Sequence, residues 1–524
     1  MDFLTSFLVV LSFVVWHFLR SNLRLRRSGK LPPGPYPFPI ISNILQLGKN
    51  PHQSLTKLSK IYGPLMYLKL GSRNTIVVSS PDIAKQVLQK HDQVLSSRTS
   101  PAAAAAYDHF KKSLVWLPVG SQWRNLRKIC KEQMFSSHRL DAIDFAQFNS
   151  SSSQETKELV RGLMEVGAVP NLADFFPVLK FIDPQGILIS DQVVDIGGAA
   201  FITSLNLMSA TLFSVDFAQF NSSSSQETKE LARGLMEVGA VPNLADFFPV
   251  LKFIDPQGIL RECKSYISKV FVIFDDLINQ RLKLRNESPD HPARNDLLEA
   301  ILNYSQTNDS ELTFDVLKHL LLDLFIGGTD TTASTVEWIM TELIRNPEKM
   351  SKARNELWTI VGRNKEVEES DIPRLPYLQS VVKETFRYHP PAPFLVPRKA
   401  EVDTEINGYT IPKDAQILVN VWATGRDSSL WLNPDLFEPE RFLDREIDFR
   451  GQDFELIPFG SGRRICPGLP LAHRMVHLMV ATLIHSFDWK LENGMKPEEV
   501  DIREKFGLSI QKAVPLTAFP IKMS

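Results

Sequence analysis

Phe459-Gly-Ser-Gly-Arg-Arg-Ile-Cys466-Pro-Gly468 is the stretch on which the reading of this 524-residue chain turns. It sets one cysteine in a glycine-rich loop just ahead of an apolar helix expected over Leu469 to Ile484. A thiolate there gains from the helix N-terminus and from loop N–H groups, which lower its pKa. Gly462 and Gly468 let the backbone turn tightly and approach a flat partner closely. Arg464 is placed to pair a carboxylate of that partner. A lone cysteine is more often a small buried hydrophobe. A nucleophilic one would want a nearby histidine base, and proximity cannot be read from sequence.

Working outward, Thr313 to Asn346 runs 34 residues without proline and stops at Pro347. That predicts one helix of about 50 Å crossing the whole fold. It carries Gly327-Gly-Thr-Asp330-Thr331-Thr332. Paired glycines weaken a helix, and hydroxyls on their neighbours bond back to freed carbonyls and bend it. By itself this reads as a packing notch. Glu384-Thr-Phe-Arg387 is an (i, i+3) pair of the kind usually found as a weak surface salt bridge. Pro439-Glu-Arg441-Phe442 follows it, ahead of the cysteine loop. Trp123-Arg-Asn-Leu-Arg127 and Arg398, after Pro390-Pro-Ala-Pro-Phe-Leu-Val-Pro397, would as bare residues be solvated surface charges. Met66–Val78 reads as a hairpin about a Gly-Ser-Arg-Asn turn.

Together these segments resemble the cytochrome P-450 monooxygenases. Phe-x-x-Gly-x-Arg-x-Cys-x-Gly matches that family's haem-thiolate loop at every fixed position, and five linked motifs occur in the right order. From end to end the chain looks most like a plant microsomal member of the terpenoid-oxidising geraniol-hydroxylase group, especially near Phe506-Gly-Leu-Ser-Ile510. The resemblance implies a mainly α fold with a small β region and a single haem-binding domain over residues 40–524. It makes Cys466 the axial iron ligand of haem b, with Phe459, Gly460, Arg464, Gly468, Trp123, Arg127 and Arg398 around the cofactor. Asp330 and Thr331 take the place of the acid–alcohol pair that delivers protons beside the bend where dioxygen binds. Glu384, Arg387 and Arg441 take the place of a structural lock behind the haem. Substrate-pocket positions fall on Phe110, Leu324, Phe325, Ala392, Phe394, Leu395, Phe506 and Leu508, apolar and partly aromatic. The implied reaction inserts one atom of dioxygen into a C–H bond of a small lipophilic substrate such as a monoterpenol. Electrons would come from NADPH through a membrane-bound reductase docked on the basic face around Cys466. Axial thiolate donation favours O–O cleavage.

Composition agrees with an ordered globular protein, 43% hydrophobic and 23% charged. With 59 Lys+Arg against 60 Asp+Glu, the net charge of −1 excludes a strongly basic nucleic-acid binder and a polyacidic tail. Length alone would set three or four domains, where the resemblance implies one. The cysteines Cys130, Cys263 and Cys466 are too few for a disulfide framework and suit a reducing compartment.

Phe3 to Leu19 is apolar except for Thr5, Ser6, Ser12 and His17. It spans roughly 26 Å, the short end of a membrane helix. Arg20, Arg24, Arg26, Arg27 and Lys30 follow at once. A cleavable signal carries its charge in front, so this order predicts an uncleaved anchor over 1–20 with the body on the cytosolic side, at the endoplasmic reticulum membrane. Residues 21–39 then form a basic, proline-rich hinge in which Leu31-Pro-Pro-Gly-Pro35, Pro37 and Pro39 make a stiff extended strut.

Asp144–Leu188 and Asp216–Leu260 are the same 45 residues except for Val160 against Ala232. Two isolated copies do not make a solenoid. Each reads as a serine-rich turn, a capping-box start (Ser152-x-x-Glu155; Ser224-x-x-Glu227), a short helix and an aromatic segment, Asp174-Phe-Phe-Pro177 or Asp246-Phe-Phe-Pro249. The second copy runs into Arg261-Glu-Cys263 as the family's substrate-roofing helices would. The first stands where the family has a core helix, with 154–166 as the stretch able to substitute. Two other readings stay open: an anchored product of a duplicated gene that cannot hold haem, and an oxygen-independent haem-thiolate isomerase or dehydratase. The presence of Asp330-Thr331 counts against the last.

Overall fold

A computed structural model describes Ser12 and residues 30–135, 193–215, 223–287, 296–307 and 313–523. The first repeat copy, with the helix expected over 154–166, lies outside the described residues, as does the anchor segment apart from Ser12. Among the described residues, ten α-helices have eight residues or more: α1 (Pro51–Tyr62), α2 (Ser121–Ile129), α3 (Ile196–Phe213), α4 (Ser223–Ala240), α5 (Ile259–Glu287), α6 (Leu297–Thr307), α7 (Phe314–Arg345), α8 (Pro347–Ile360), α9 (Pro376–Tyr388) and α10 (Leu469–Ser486).

The ends of α7 follow from its sequence. The Thr313 side chain accepts from Val316 N–H at its start, and the helix stops at Asn346, ahead of the proline that opens α8. Against α7 lies α3, capped by the Asp195 carboxylate on Gly198 N–H and closed by Ser214 in the left-handed region. The two helices meet at glycines. A Cβ on Gly328 would come within 2.4 Å of Met208 Sδ, and one on Gly197 within 2.6 Å of the Glu337 carboxyl carbon. Of the described helices only α3 is long and apolar enough to cross a membrane, and most of it is buried in this packing. One contiguous core cluster runs from Ala106 to Ala518 and includes Leu205, Phe274, Val336, Leu378 and Val480.

The β component is small. Strands β1 (Leu65–Leu70), β2 (Arg73–Val78), β3 (Ser97–Arg98), β5 (Arg398–Lys399) and β8 (Gln416–Val419) form a sheet ordered β1-β2-β8-β5-β3, parallel only between β2 and β8. A three-stranded sheet joins β4 (Val194–Asp195), β12 (Thr517–Lys522) and β9 (Phe487–Leu491). Two hairpins remain, β6 (Thr404–Ile406) with β7 (Tyr409–Ile411), and β10 (Glu504–Lys505) with β11 (Gln511–Lys512).

The β1–β2 turn is tighter than the sequence implied. Gly71 adopts φ +59°, the loop needs only Gly71-Ser72, and Arg73 and Asn74 pair with Leu70 and Lys69. The proline strut is extended and docked on β1 of this sheet and on the β6–β7 hairpin. Pro33 O accepts from Tyr67 N (2.9 Å), Lys30 O accepts from Thr410 N (2.9 Å), and Pro32, Pro35 and Pro37 are buried.

Candidate functional site

The Cys466 loop is shaped by two glycines in the left-handed region, Gly460 (φ +74°) and Gly462 (φ +70°). No side chain fits at Gly462, where a Cβ would lie 2.0 Å from Leu88 O. Gly468 differs from expectation. Its φ of −81° is ordinary, and a Cβ would meet nothing nearer than Phe135 Cζ at 3.7 Å, so backbone freedom is not what the position requires. Cys466 N–H donates to Phe459 O (2.9 Å), closing the loop. The Phe459 ring packs against Phe386 and Phe449.

Backbone N–H groups of Gly468 and Leu469 reach the Cys466 sulfur, and Arg127 lies close enough to favour a thiolate. Burial nevertheless outweighs all three, so the thiol is pushed above its ordinary range, where the sequence implied a fall. A positive metal ion at the sulfur would reverse that balance. Cys466 keeps some accessible surface despite this desolvation.

Four guanidinium groups converge beside the loop. Arg127 donates to Ile465 O. Arg464 donates to Ser96 O (3.0 Å), Leu114 O and Leu117 O, and lies 4.6 Å over the Trp123 ring. Trp123 is itself buried, its indole N–H on Leu114 O. Arg398 donates to Asp92 (2.6 Å) and Ser461 O (3.1 Å). The fourth, Arg98, escaped the sequence reading. It stands directly opposite Arg398 across the β3–β5 pair. Like charges so placed repel, and nothing local in the sequence reveals a pairing over 300 residues. Burial, then Arg398 and Arg464, hold Arg98 well below its ordinary range, with Asp92 the carboxylate opposing and Arg127 adding to the fall. Burial first, then Arg398 and Arg127, bring Arg464 down to about 10, with Asp92 and Glu401 opposing.

On α7, the Thr331 hydroxyl donates back to Gly327 O (2.7 Å), and a Cβ on Gly327 would meet nothing within 4 Å. The packing notch and the open position are thus divided between the paired glycines, Gly328 facing α3 and Gly327 facing space. Asp330 is buried, its carboxyl oxygens accepting from Ser509 Oγ and from Gln511 Nε2 (2.8 Å). Burial raises its pKa, and those two donors pull it back.

The pocket candidates divide. Leu324 and Phe325 are buried in the main core, with Phe325 edge-on to Phe274 of α5. Phe394 and Phe506 pack on each other beside the five-stranded sheet. Leu395, in the left-handed region, lies 3.8 Å from where a Cβ on Gly460 would stand. Ala392 and Phe110 are half-buried, the latter under Lys111, and Leu508 is exposed.

Glu384, Arg387 and Arg441 come together in full. Arg387 grips Glu384 bidentately at 2.7 Å and 2.7 Å and donates to Gly425 O, Pro434 O and Leu436 O, while Arg441 reaches Glu384 at 3.1 Å. Both members of the first pair are fully buried, tolerable because the pairing is backed by these further hydrogen bonds.

The cytochrome P450 family profile matches residues 32–516. Cytochrome P450 76T24 of Catharanthus roseus is 55% identical over 98% of both chains. A ferruginol synthase of Isodon rubescens is 49% identical over 95% of both, and the geraniol 8-hydroxylase of Catharanthus roseus is 47% identical over 99% of both. The chain belongs to the cytochrome P450 family, oxidoreductases that hold a haem through a cysteine thiolate and draw electrons from a redox partner. The residues present fit that group. Arg98, Arg398 and Arg464 share the Asp92 carboxylate, with Glu401 acting on Arg464 as well. Among the described residues Arg127 has no carboxylate acting on it, and Arg98 Nε is buried without a hydrogen-bond partner. Two propionates on one flat ligand would supply further anions, and Cys466 would offer its iron a soft donor.

Proposed function

We propose that the chain is a haem-thiolate monooxygenase that hydroxylates a small lipophilic terpenoid, a monoterpenol such as geraniol, using dioxygen and electrons from NADPH passed on by a membrane-bound reductase. Near-full-length identity to relatives named for geraniol hydroxylation and ferruginol synthesis carries the substrate class. In this reading Cys466 ligates the iron, Arg98, Arg127, Arg398 and Arg464 hold the propionates, and Trp123 braces Arg464. Asp330 holds and moves the proton that oxygen activation consumes, with Thr331 beside it. The bound haem supplies the oxidising chemistry; the chain orients substrate and admits protons. Asp330-Thr331 favours this over an oxygen-independent isomerase or dehydratase. The apolar run 3–19 with its trailing basic residues supports an anchor in the endoplasmic reticulum membrane and a cytosolic body.

The carbon monoxide difference spectrum of the reduced chain tests the core of this. The intact chain should show the red-shifted band of a thiolate-ligated haem and Cys466→Ser should lose it. A Cys466→Ser protein that keeps the band overturns the assignment. NADPH-dependent oxygen uptake matched by hydroxylated terpenol then tests the reaction, and product without oxygen uptake would favour the isomerase reading.

A further inference from the structure

The β10–β11 hairpin is fastened to one stripe of α7. Asp330, Ser334 and Trp338 are spaced i, i+4, i+8, so they stack along a single helix face. Ser334 Oγ donates to Ile510 O (2.6 Å) and Trp338 Nε1 to the same oxygen (3.1 Å). Ser509 and Gln511, on either side of Ile510, take the two oxygens of Asp330. Lys512 lies 5.1 Å over the Trp338 ring, and Ile510 N–H donates to Pro391 O (2.8 Å), tying the hairpin to the loop that carries Ala392 and Phe394. Ser509 is almost wholly buried, so its hydroxyl has little competition from water.

We propose that Ser509 and Gln511 are positioning residues for Asp330, fixing the orientation of its carboxyl group and the oxygen on which it takes up a proton. This rests on the proton-delivering role given to Asp330 above. The chemistry of the two partners differs. An ionised carboxylate only accepts, and both oxygens are met by donors. When the group gains a proton, the oxygen that carries it must donate. A glutamine amide nitrogen cannot accept, and presenting the amide oxygen instead takes a flip of the whole group, so the Gln511 side resists the change. A serine hydroxyl can rotate and accept, so the proton settles on the Ser509 side, at Oδ2. The same five-residue turn, Phe506 to Ile510, holds two of the expected substrate-pocket positions. Displacement of the turn by a substrate therefore bears directly on the carboxyl that delivers protons.

The test compares the intact haem-loaded chain with Ser509→Ala, Ser509→Thr, Gln511→Leu and Asp330→Asn. The first readout is an infrared pH titration of the resting protein, with the Asp330 carboxylic-acid band assigned by its loss in Asp330→Asn. Loss of a charge-assisted donor should raise the midpoint by about one unit or more in Ser509→Ala and Gln511→Leu. Ser509→Thr, which keeps the hydroxyl, should titrate with the parent. The second readout is the share of NADPH electrons lost to peroxide. It should rise several-fold in the two donor-less variants while substrate KM holds. Midpoints unmoved in both donor-less variants, or Ser509→Thr matching Ser509→Ala, overturn the proposal. If Asp330→Asn turns over fully coupled, the proton-delivery reading fails, and the infrared midpoints still decide whether Ser509 and Gln511 hold the carboxyl.

Discussion

Arg98 shows why a single residue can be decisive and yet silent in a sequence. An arginine paired across a ladder with another arginine, with two more close by, costs the bare fold free energy through repulsion and desolvation. An anionic ligand turns the same arrangement to advantage. Arg98→Leu should therefore move two quantities in opposite directions. The haem-free chain should unfold at equal or higher denaturant than the parent. The loaded chain should lose haem to an apoprotein acceptor about tenfold to a hundredfold more readily, the loss of a charge-assisted hydrogen bond worth about 1.5–3 kcal/mol. An Arg98→Leu chain that is less stable without haem and retains it normally would show the residue to be structural. Cys466 and Gly468 mark the opposite limit of reading residues from sequence. Their identities were plain in the motif, but the net direction of the thiol pKa depended on burial, and the conformation of Gly468 on packing.

At the scale of elements, the segment Ala102–Lys111 is bent through Tyr107 and Asp108, both at positive φ, and pinned to α7. His109 Nδ1 and His319 Nδ1 are 2.7 Å apart, and His109 Nε2 faces Asp323 at 3.1 Å. Asp323 also accepts from Ser113, Lys112 pairs with Asp315, and the Phe271 ring of α5 stands edge-on to His319. If His109 gives its Nε2 proton to Asp323, its Nδ1 accepts from His319, whose own Nε2 is buried without a hydrogen-bond partner. A second proton on His319 would face only Asp315 Oδ1, at 3.8 Å and beyond hydrogen-bond distance. Burial first, then His109 and Lys112, accordingly lower its pKa to about 4. The unfolded chain binds this proton near its ordinary 6.5 and the folded chain only near 4, so stability falls as pH drops through that window. His319→Gln keeps a donor toward His109 and removes the titration. Its loss of unfolding free energy between pH 7 and 4.5 should be smaller than the parent's by up to about 3 kcal/mol. Parallel curves in urea titrations at the two pH values would remove His319 from the acid response.

Elements were legible where local physics sets them. Proline and a threonine cap fixed the ends of α7, and the Glu384-x-x-Arg387 pair lay on one helix turn. The sequence was silent where partners lie far apart in the chain. Asp92 illustrates this, holding both Arg398 and the Arg463 N–H of the cysteine loop. So do Ser509 and Gln511, whose role is visible only once the hairpin rests on α7. The eight apolar pocket positions divided between the core, the sheet and the surface, because apolar type alone does not distinguish a pocket wall from a core.

At the scale of the molecule, the duplication poses a question of occupancy. Asp246, in the second copy, accepts from Ala102 N–H (2.6 Å) and pairs with Arg73 (3.5 Å). Phe247 O accepts from Ser72 N (2.8 Å) and Ser72 Oγ (2.9 Å), and a Cβ on Gly71 would lie 2.5 Å from that carbonyl oxygen. This seat, between the β1–β2 turn and the start of the Ala102–Lys111 segment, takes one Asp-Phe-Phe-Pro and no more. The sequence offers two, Asp174-Phe-Phe-Pro177 and Asp246-Phe-Phe-Pro249, with identical neighbours. Composition and propensity therefore cannot choose between them; the order of the chain does, since only the second copy leads directly into α5. Asp246→Ala strips a carboxylate from a backbone N–H and from an arginine, a loss of about 2 kcal/mol. Asp174→Ala, the same change in the same local sequence, should leave the denaturant midpoint where it was. Equal losses in the two variants would mean that the copies share the seat. No loss in either would mean that the seat contributes nothing to holding the fold. Loss confined to Asp246→Ala would show that it is the second copy that fills this seat.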